Sequence, residues 1–241
     1  MLRDTSLQEF FLSTEFRIVF VLFPRITQLD FTGPHEVLWR APEARCVLAS
    51  SAGGRVQADG GLGFDTVPIA EVDGCDLLLV PGGYGTLDAM ADAHLLAQMR
   101  RLASGARHLV SVCTGSLLLG AAGLLHGHRA ACHWAWRELL AAYPQVTPDA
   151  ARIVHDGRVW SGGGVTAGID LGLAVLAEIA GTEFAQSVQL AIEYAPAPPF
   201  DAGRPENAPP EVLQRMLQRL QTMGADRSAA VQRAAAALRA V

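Results

Sequence analysis

The stretch HLVSVCTGSLLLGAAGLL, residues 108–125, decides the fold. It opens as a short, mostly apolar run of the kind expected in a strand covered on both faces. It then passes without a polar linker into a leucine- and alanine-rich helical segment. Cys113 stands at the junction. Gly115 lets the chain turn tightly, and Gly120 with the neighbouring alanines lets the helix lie close against a sheet. A strand that turns directly into a helix is the repeating unit of a parallel α/β sheet, and a nucleophile at that turn is the layout of a nucleophile elbow.

The flanking sequence repeats the alternation. FRIVFVLFP (16–24) is a buried strand ended by proline, and RCVLASSAGG (45–54) is a second strand. Between them, Gly33 and Pro34 read as turn residues leading into a short helix. GGLGFDTVPIAEV (60–72) holds short β segments between glycine turns, and CDLLLVPGG (75–83) is a third central strand running into a glycine loop. The spacing of Met90, Leu95, Leu96, Met99 and Leu102 predicts one helix over 88–104. RAACHW (129–134) reads as a short strand, and RIVHDGRVWSGGG (152–164) as a hairpin turning at Asp156 and Gly157.

Two helices, 166–181 and 182–194, precede a proline-rich surface connection over 195–210. Val212, Leu213, Met216, Leu217 and Leu220 then form one apolar stripe, and after Gly224 a second runs through Val231, Ala234, Leu238 and Val241. These predict terminal helices that cap the domain or meet a second subunit. The expected fold is α/β, a doubly wound, mainly parallel sheet flanked by helices on both faces. It occupies a single domain, 16–241, behind an N-terminal extension over 1–15 that packing against a partner would order.

Composition narrows the function classes. Hydrophobic residues are 50% and charged residues 18% of 241, as in a chain that buries a real core. A formal charge of -5 and the lack of any basic run argue against nucleic acid, whose phosphates need clustered Lys and Arg. The N-terminal segment carries Asp4, Glu9 and Glu15 and does not read as a signal peptide, and no run is long enough for a membrane helix. Cys46, Cys75, Cys113 and Cys132 lack metal or redox pair spacing, so free thiols in a reducing cytoplasm are expected.

Ligands of open α/β sheets gather at the carboxyl ends of the strands. Three such ends carry unusual chemistry: Asp30, the Gly82–Gly83 pair, and Cys113 followed by Thr114. Near a helix N-terminus a thiolate is favoured over a thiol. Yet free cysteine is also among the most buried residue types, so a nucleophile and a structural thiol both fit Cys113. Cys46, Cys75 and Cys132 lie in or beside strand-like runs and read as structural. The N–H groups of Gly82 and Gly83 either face a developing anion or serve only a turn. Asp30 reads as a partly desolvated proton donor with a raised pKa, or as a solvated loop carboxylate. His35 and Glu36 compete for that role, with Glu36 read as a helix cap or an inward structural carboxylate.

His133, beside Trp134, is the histidine placed for a Cys–His pair. A metal held by His126, His128 and His133 is an alternative to a simple turn. Gly163, Gly164 and Val165 form a pocket wall or bind an anion where a strand gives way to a helix.

The segments LFPRITQLDFTGPHEVL, LLLVPGGYGTLDAM, HLVSVCTGSLLLGAAGLLHGHRA, HWAWRELL, SGGGVTAGIDLGLAVLAE and QLAIEYAPAPPFDAGRPENAP together resemble the ThiJ/PfpI superfamily, with its class I glutamine amidotransferase-like sheet. Within it the combination of VCTGS, GGGVTAGID and YAPAPPF resembles the isonitrile (isocyanide) hydratase group. The resemblance implies hydration of an isocyanide to an N-substituted formamide through a thioimidate on Cys113. Asp30 then moves protons, Thr114 hydrogen-bonds within the site, and neither metal nor organic cofactor is needed. A homodimer is implied, since the superfamily is commonly dimeric. Two other functions stay open: a ligand-sensing domain like those of AraC-type regulators, without their DNA-binding region, and a glyoxalase- or deglycase-like stress protein.

Overall fold

A computed structural model describes residues 15–239. In chain order its strands are β1 (Phe16–Val21), β2 (Ala44–Ser50), β3 (Gly54–Gln57), β4 (Gly63–Pro68), β5 (Leu77–Val80), β6 (His108–Val112), β7 (Arg129–Ala130), β8 (Thr147–Pro148), β9 (Ile153–Asp156) and β10 (Val159–Gly162). The α-helices are α1 (Gln28–Leu38), α2 (Thr86–Ala91), α3 (Ala93–Gly105), α4 (Gly115–Ala121), α5 (Ala167–Ala180), α6 (Thr182–Ala191) and α7 (Pro210–Arg239). Short 3₁₀ segments at Ile69–Glu71 and Arg137–Ala142 complete the set.

Eight strands form one sheet in the order β3-β4-β2-β1-β5-β6-β10-β9. Neighbours from β4 to β10 run parallel, and only the edge pairs β3/β4 and β9/β10 are antiparallel. This is the mainly parallel sheet flanked by helices that the alternation predicts. The central strands are largely apolar because both faces are covered: Leu77, Leu78, Leu79 and Val80 are wholly buried, as are Leu109, Val110 and Val112. Strand order reverses beside β1, so the loops after β1, β5 and β6 open into one crevice.

Three local expectations are revised. Gly33 and Pro34 lie inside α1, not ahead of it. The chain is pinned just before Gln28 by the Thr27 N–H to Gly82 carbonyl bond of 3.0 Å and by the bridge between Ile26 and Gly83, so the helix starts at once and Asp30 falls in its first turn. The helix expected over 88–104 is two, because Asp92 leaves the helical conformation and caps α3 by accepting the Leu95 N–H at 2.9 Å. The two terminal stripes lie on one continuous helix, α7, since Gly224 falls where the Trp136 ring lies close and no break is needed. Cys132 and His133 follow a two-residue strand, β7, that pairs with β8 rather than the main sheet. The extension over 1–14 and Val241 lie outside the described residues. No helix among the described residues is long and apolar enough to cross a membrane.

Gly115 is the tightest point of the β6–α4 turn, where an added Cβ would overlap the Val80 carbonyl oxygen on β5. No flexible side chain can give way there, since the neighbour is backbone in a wholly buried strand. Gly115→Ala should therefore lower unfolding stability by about 3 kcal/mol or more, read by urea denaturation against the parent protein.

Candidate active site

Cys113 leaves β6 with φ of 58°, a left-handed conformation that costs a non-glycine residue about 1 kcal/mol. The turn is held by its own backbone N–H, which is shared between the carbonyls of Gly162 at 3.1 Å and Gly163 at 2.8 Å. The first of these carbonyls ends β10, the neighbouring strand, and the second follows it directly, so the elbow is fixed to the end of that strand. Below it, Ser111 and Ser116 hydroxyls lie 3.0 Å apart, Ser116 donates to the Ala131 carbonyl, and the Ala131 N–H donates to the Ser161 hydroxyl at 2.8 Å. This buried chain of hydroxyls ties β6, α4 and β10 to the segment carrying Cys132 and His133.

Asp30 comes from α1 and Gly82 from the end of β5. The Asp30 carboxyl is completely buried, and its Oδ2 accepts the Gly82 N–H at 3.0 Å. The other oxygen, Oδ1, is buried without a hydrogen-bond partner. Burial pushes the carboxyl up from its ordinary 3.8 to about 7, and the Gly82 N–H and the nearby Cys113 thiol offset only part of this. A partner at hydrogen-bond geometry is lacking for Oδ1, so the thiol acts on it as a close neighbour and not as a formed bond.

The thiol of Cys113 is itself buried. Desolvation, then the Asp30 carboxyl and Cys132, raise it well above its ordinary 9.0. This runs against the thiolate that the helix N-terminus favours: α4 has only seven residues, and the lowering effect of the Thr114 N–H is smaller than the loss of water. What the site offers is a thiol beside a carboxyl that is half ionised near neutrality, an arrangement able to pass one proton between sulfur and oxygen.

The Thr114 hydroxyl accepts the Gly83 N–H at 3.0 Å and lies 3.0 Å from the Thr86 hydroxyl, which donates to the Gly83 carbonyl at 2.8 Å. Both glycine N–H groups are thus engaged inside the protein, one by Asp30 and one by Thr114. They are not free to meet an anion as the sequence reading allowed; their role is to position Asp30 and Thr114. A Cβ on Gly82 would sit 2.5 Å from the Thr114 nitrogen and 2.9 Å from the Asp30 carboxylate, so only glycine fits.

A cavity of about 260 Å³ opens over Cys113 and Thr114, walled by Gly83, Tyr84, His133 and Val165 and roofed by Trp136 with Met216, Leu220 and Arg227 of α7. That size suits a small organic molecule. Gly163 and Gly164 line an adjoining cavity of about 250 Å³ instead, and Val165 and His133 form the wall between the two. Nδ1 of His133 accepts the Ala135 N–H at 3.2 Å, which leaves the ring proton on Nε2. Burial, followed by the charge of Arg227, lowers the His133 pKa, so the ring is a neutral donor at the cavity wall and not a base paired with Cys113.

Glu36 is exposed and pairs with Arg40 at 2.7 Å rather than capping α1, and His35 packs against Phe20 and Phe31. His128 faces Asp156 at 3.5 Å, His133 lines the cavity over Cys113, and no group of three metal-ligating side chains forms among the described residues. Burial pushes Cys46 up to about 11 and Cys75 and Cys132 up to about 12, in keeping with structural thiols. The roof from α7 and the Trp136 wall were missed in the sequence. The available signal was Arg227, four residues before Val231 and so a charge set on the apolar stripe of a helix.

Residues 16–178 match the DJ-1/PfpI family. The chain is 43% identical over 225 residues to the isonitrile hydratase of Pseudomonas putida, covering 92% of this chain and 97% of that one. It is 34% identical over 177 residues to the HTH-type transcriptional regulator CdhR of Pseudomonas aeruginosa, covering 70% of this chain and 52% of the regulator. The crystal structure of a ThiJ/PfpI family protein from Pseudomonas syringae superposes with a TM-score of 0.86 at 34% identity, covering 98% of this chain and 97% of that one.

Ionising Asp30 costs the folded protein more than the unfolded chain. Its contribution to stability is therefore full below pH 3.8 and declines as pH rises to about 7. Asp30→Asn removes this titration while keeping an acceptor for Gly82. Between pH 5 and pH 8 the variant should gain on the order of 3 kcal/mol relative to the parent, measured by chemical denaturation at both pH values.

Proposed function

The chain belongs to the DJ-1/PfpI family, and on that premise we propose that it hydrates isocyanides, R–N≡C, to N-substituted formamides. The observation that carries this reading is the 43% identity to an isonitrile hydratase along nearly the whole of both chains. The regulator similarity is weaker, and the chain spans about half of that protein. The site supplies the parts the reaction requires: a thiol at a strand-to-helix elbow, a carboxyl that titrates near neutrality, and a small cavity over the sulfur.

On this reading ionised Asp30 takes the thiol proton onto Oδ1, the oxygen without a partner, as the Cys113 sulfur attacks the terminal carbon. The new sulfur–carbon bond leaves an electron pair on that carbon, and protonated Asp30 returns the proton to it. The product is a thioimidate, R–N=CH–S–Cys113, with Asp30 again ionised. Water then adds to the same carbon. Its oxygen bonds to carbon while one proton passes to nitrogen, giving R–NH–CH(OH)–S–Cys113. Collapse to the carbonyl breaks the carbon–sulfur bond, sends the hydroxyl proton by way of Asp30 to the departing sulfur, and releases R–NH–CHO. Gly82 holds Oδ2 throughout, so only Oδ1 swings between proton donor and acceptor. Thr114 holds the β5 loop against the elbow.

The test is formamide appearance from an aryl isocyanide. Cys113→Ala should abolish turnover with unchanged circular dichroism, and Asp30→Asn should lose at least about a hundredfold. For the parent protein kcat/KM should rise with pH through about 7, as Asp30 ionises. Formamide formation by Cys113→Ala at the parent rate would remove the nucleophile. Turnover of methylglyoxal with no isocyanide hydration would replace this reading by a glyoxalase-like one.

A further inference from the structure

The cavity over Cys113 contains a cation that the reaction above does not use. Arg227 extends from α7, is only 3% exposed, and has Nε and Nη1 buried with no hydrogen-bond partner. One face of its guanidinium rests on the Trp136 ring at 4.9 Å, which fixes the plane but leaves those edge N–H groups unbonded. A buried guanidinium normally meets a carboxylate or backbone carbonyls, because an unpaired buried charge is among the costlier features a fold can retain.

The surroundings of Arg227 hold no carboxylate; the ionisable groups that act on it are the Cys113 and Cys132 thiols and the Tyr84 hydroxyl. The cavity holds a second arginine, Arg219, and neither Asp nor Glu lines it. Asp30 lies behind Gly82 and outside the cavity. Asp226, next in the chain, is exposed, and no ion pair among the described residues involves Arg227 or Arg219. His133 on the wall is neutral. The rest of the wall is largely apolar: Tyr84, Val165, Met216 and Leu220. A small cavity with a reactive sulfur at its floor and an unneutralised guanidinium in its roof fits a ligand with an electrophile at one end and an anion at the other.

We propose that Arg227 is the recognition residue for a carboxylate on the substrate, which is then an isocyanide whose organic group bears a carboxylate within reach of the guanidinium when the terminal carbon meets Cys113. The identity of the electrophile rests on the hydratase reading; the carboxylate rests on the placement of Arg227 alone. The planar donor fork matches a carboxylate in shape and charge, and its stacking on Trp136 orders it before the ligand arrives.

Iodoacetate and iodoacetamide test this without an isocyanide. Both alkylate a thiolate by forming a sulfur–carbon bond as iodide leaves, and they differ in a carboxylate against a neutral amide. Rates are followed by mass spectrometry on the Cys113 peptide, so the other thiols do not enter. The ratio of iodoacetate to iodoacetamide rate should be about tenfold higher in the parent than in Arg227→Met. A change in thiolate content alone slows both reagents alike and leaves the ratio untouched. Equal ratios in the two proteins would overturn the proposal. Arg227→Met keeps an apolar chain against Trp136 and removes an unpaired buried charge, so the fold should persist; Arg227→Gln gives the same comparison if it does not.

A second arm compares isocyanoacetate with its methyl ester. Preference for the acid in kcat/KM, lost in Arg227→Met through a raised KM, supports the assignment. Equal use of acid and ester by the parent overturns it while leaving the hydratase reading in place. Turnover of neither by a protein that hydrates the aryl isocyanide overturns the carboxylate assignment; turnover of no isocyanide, the aryl one included, overturns the hydratase reading, and the alkylation ratio still decides the role of Arg227.

Discussion

Two backbone donors on the loop after β5 organise everything above the sheet. The Gly82 N–H fixes one oxygen of Asp30, and the Gly83 N–H fixes the hydroxyl of Thr114. Through them α1, β5 and the β6–α4 elbow meet at one point, although the three segments are far apart in sequence. Neither bond tolerates a side chain at Gly82, where the backbone of Thr114 and the carboxylate of Asp30 already occupy the space of a Cβ. The carboxyl consequently has one committed oxygen and one without a partner.

Desolvation is the dominant force on both reactive groups. It raises Asp30 into the neutral range and holds Cys113 as a thiol, so that the pair resists carrying two negative charges at once. In a helix-terminus thiolate of the usual sort, activation precedes substrate binding. On the proposed reading deprotonation would accompany attack, with the carboxyl alongside as the receiver. A protonated resting sulfur is also less open to oxidation than an exposed thiolate.

Much of this was legible in the sequence because it depends on local patterning. The apolar run 108–112 followed by Cys113 and Gly115 required a sheet strand, a tight turn and a helix, and the structure has all three. Asp30 was found as a chemical candidate, but its surroundings were not, since its burial comes from the pinning of residues 26 and 27 on the β5 loop, a contact across more than fifty residues. The fate of the Gly82 and Gly83 N–H groups was unreadable for the same reason. Helix boundaries failed where tertiary contacts outweighed local residue preferences, with Pro34 accepted inside α1 and Asp92 breaking a regular apolar stripe. The hydratase-like motifs were informative about the chain's relatives, whereas the α7 part of the roof was not visible from them because it lies beyond residue 178, where the family match ends.

That roof is delivered by a single uninterrupted helix, and a helix preserves phase along its length. Val231 and Ala235 are buried on the same side as Arg227 and anchor the distal half of α7, while the Arg239 guanidinium donates to the Ala142 carbonyl at 3.0 Å. Loss or gain of one residue between Arg227 and Val231 would rotate the entire proximal half by about 100° without unwinding it. Arg227, Leu220 and Met216 would then turn away from the cavity together. The proline-rich segment over 195–209 is irregular and largely exposed, so it accommodates changes of length away from residues 203–206, which line the adjoining cavity. Descendants of this chain can thus drift in linker length, but α7 is locked to its residue count by the geometry of the chamber it closes.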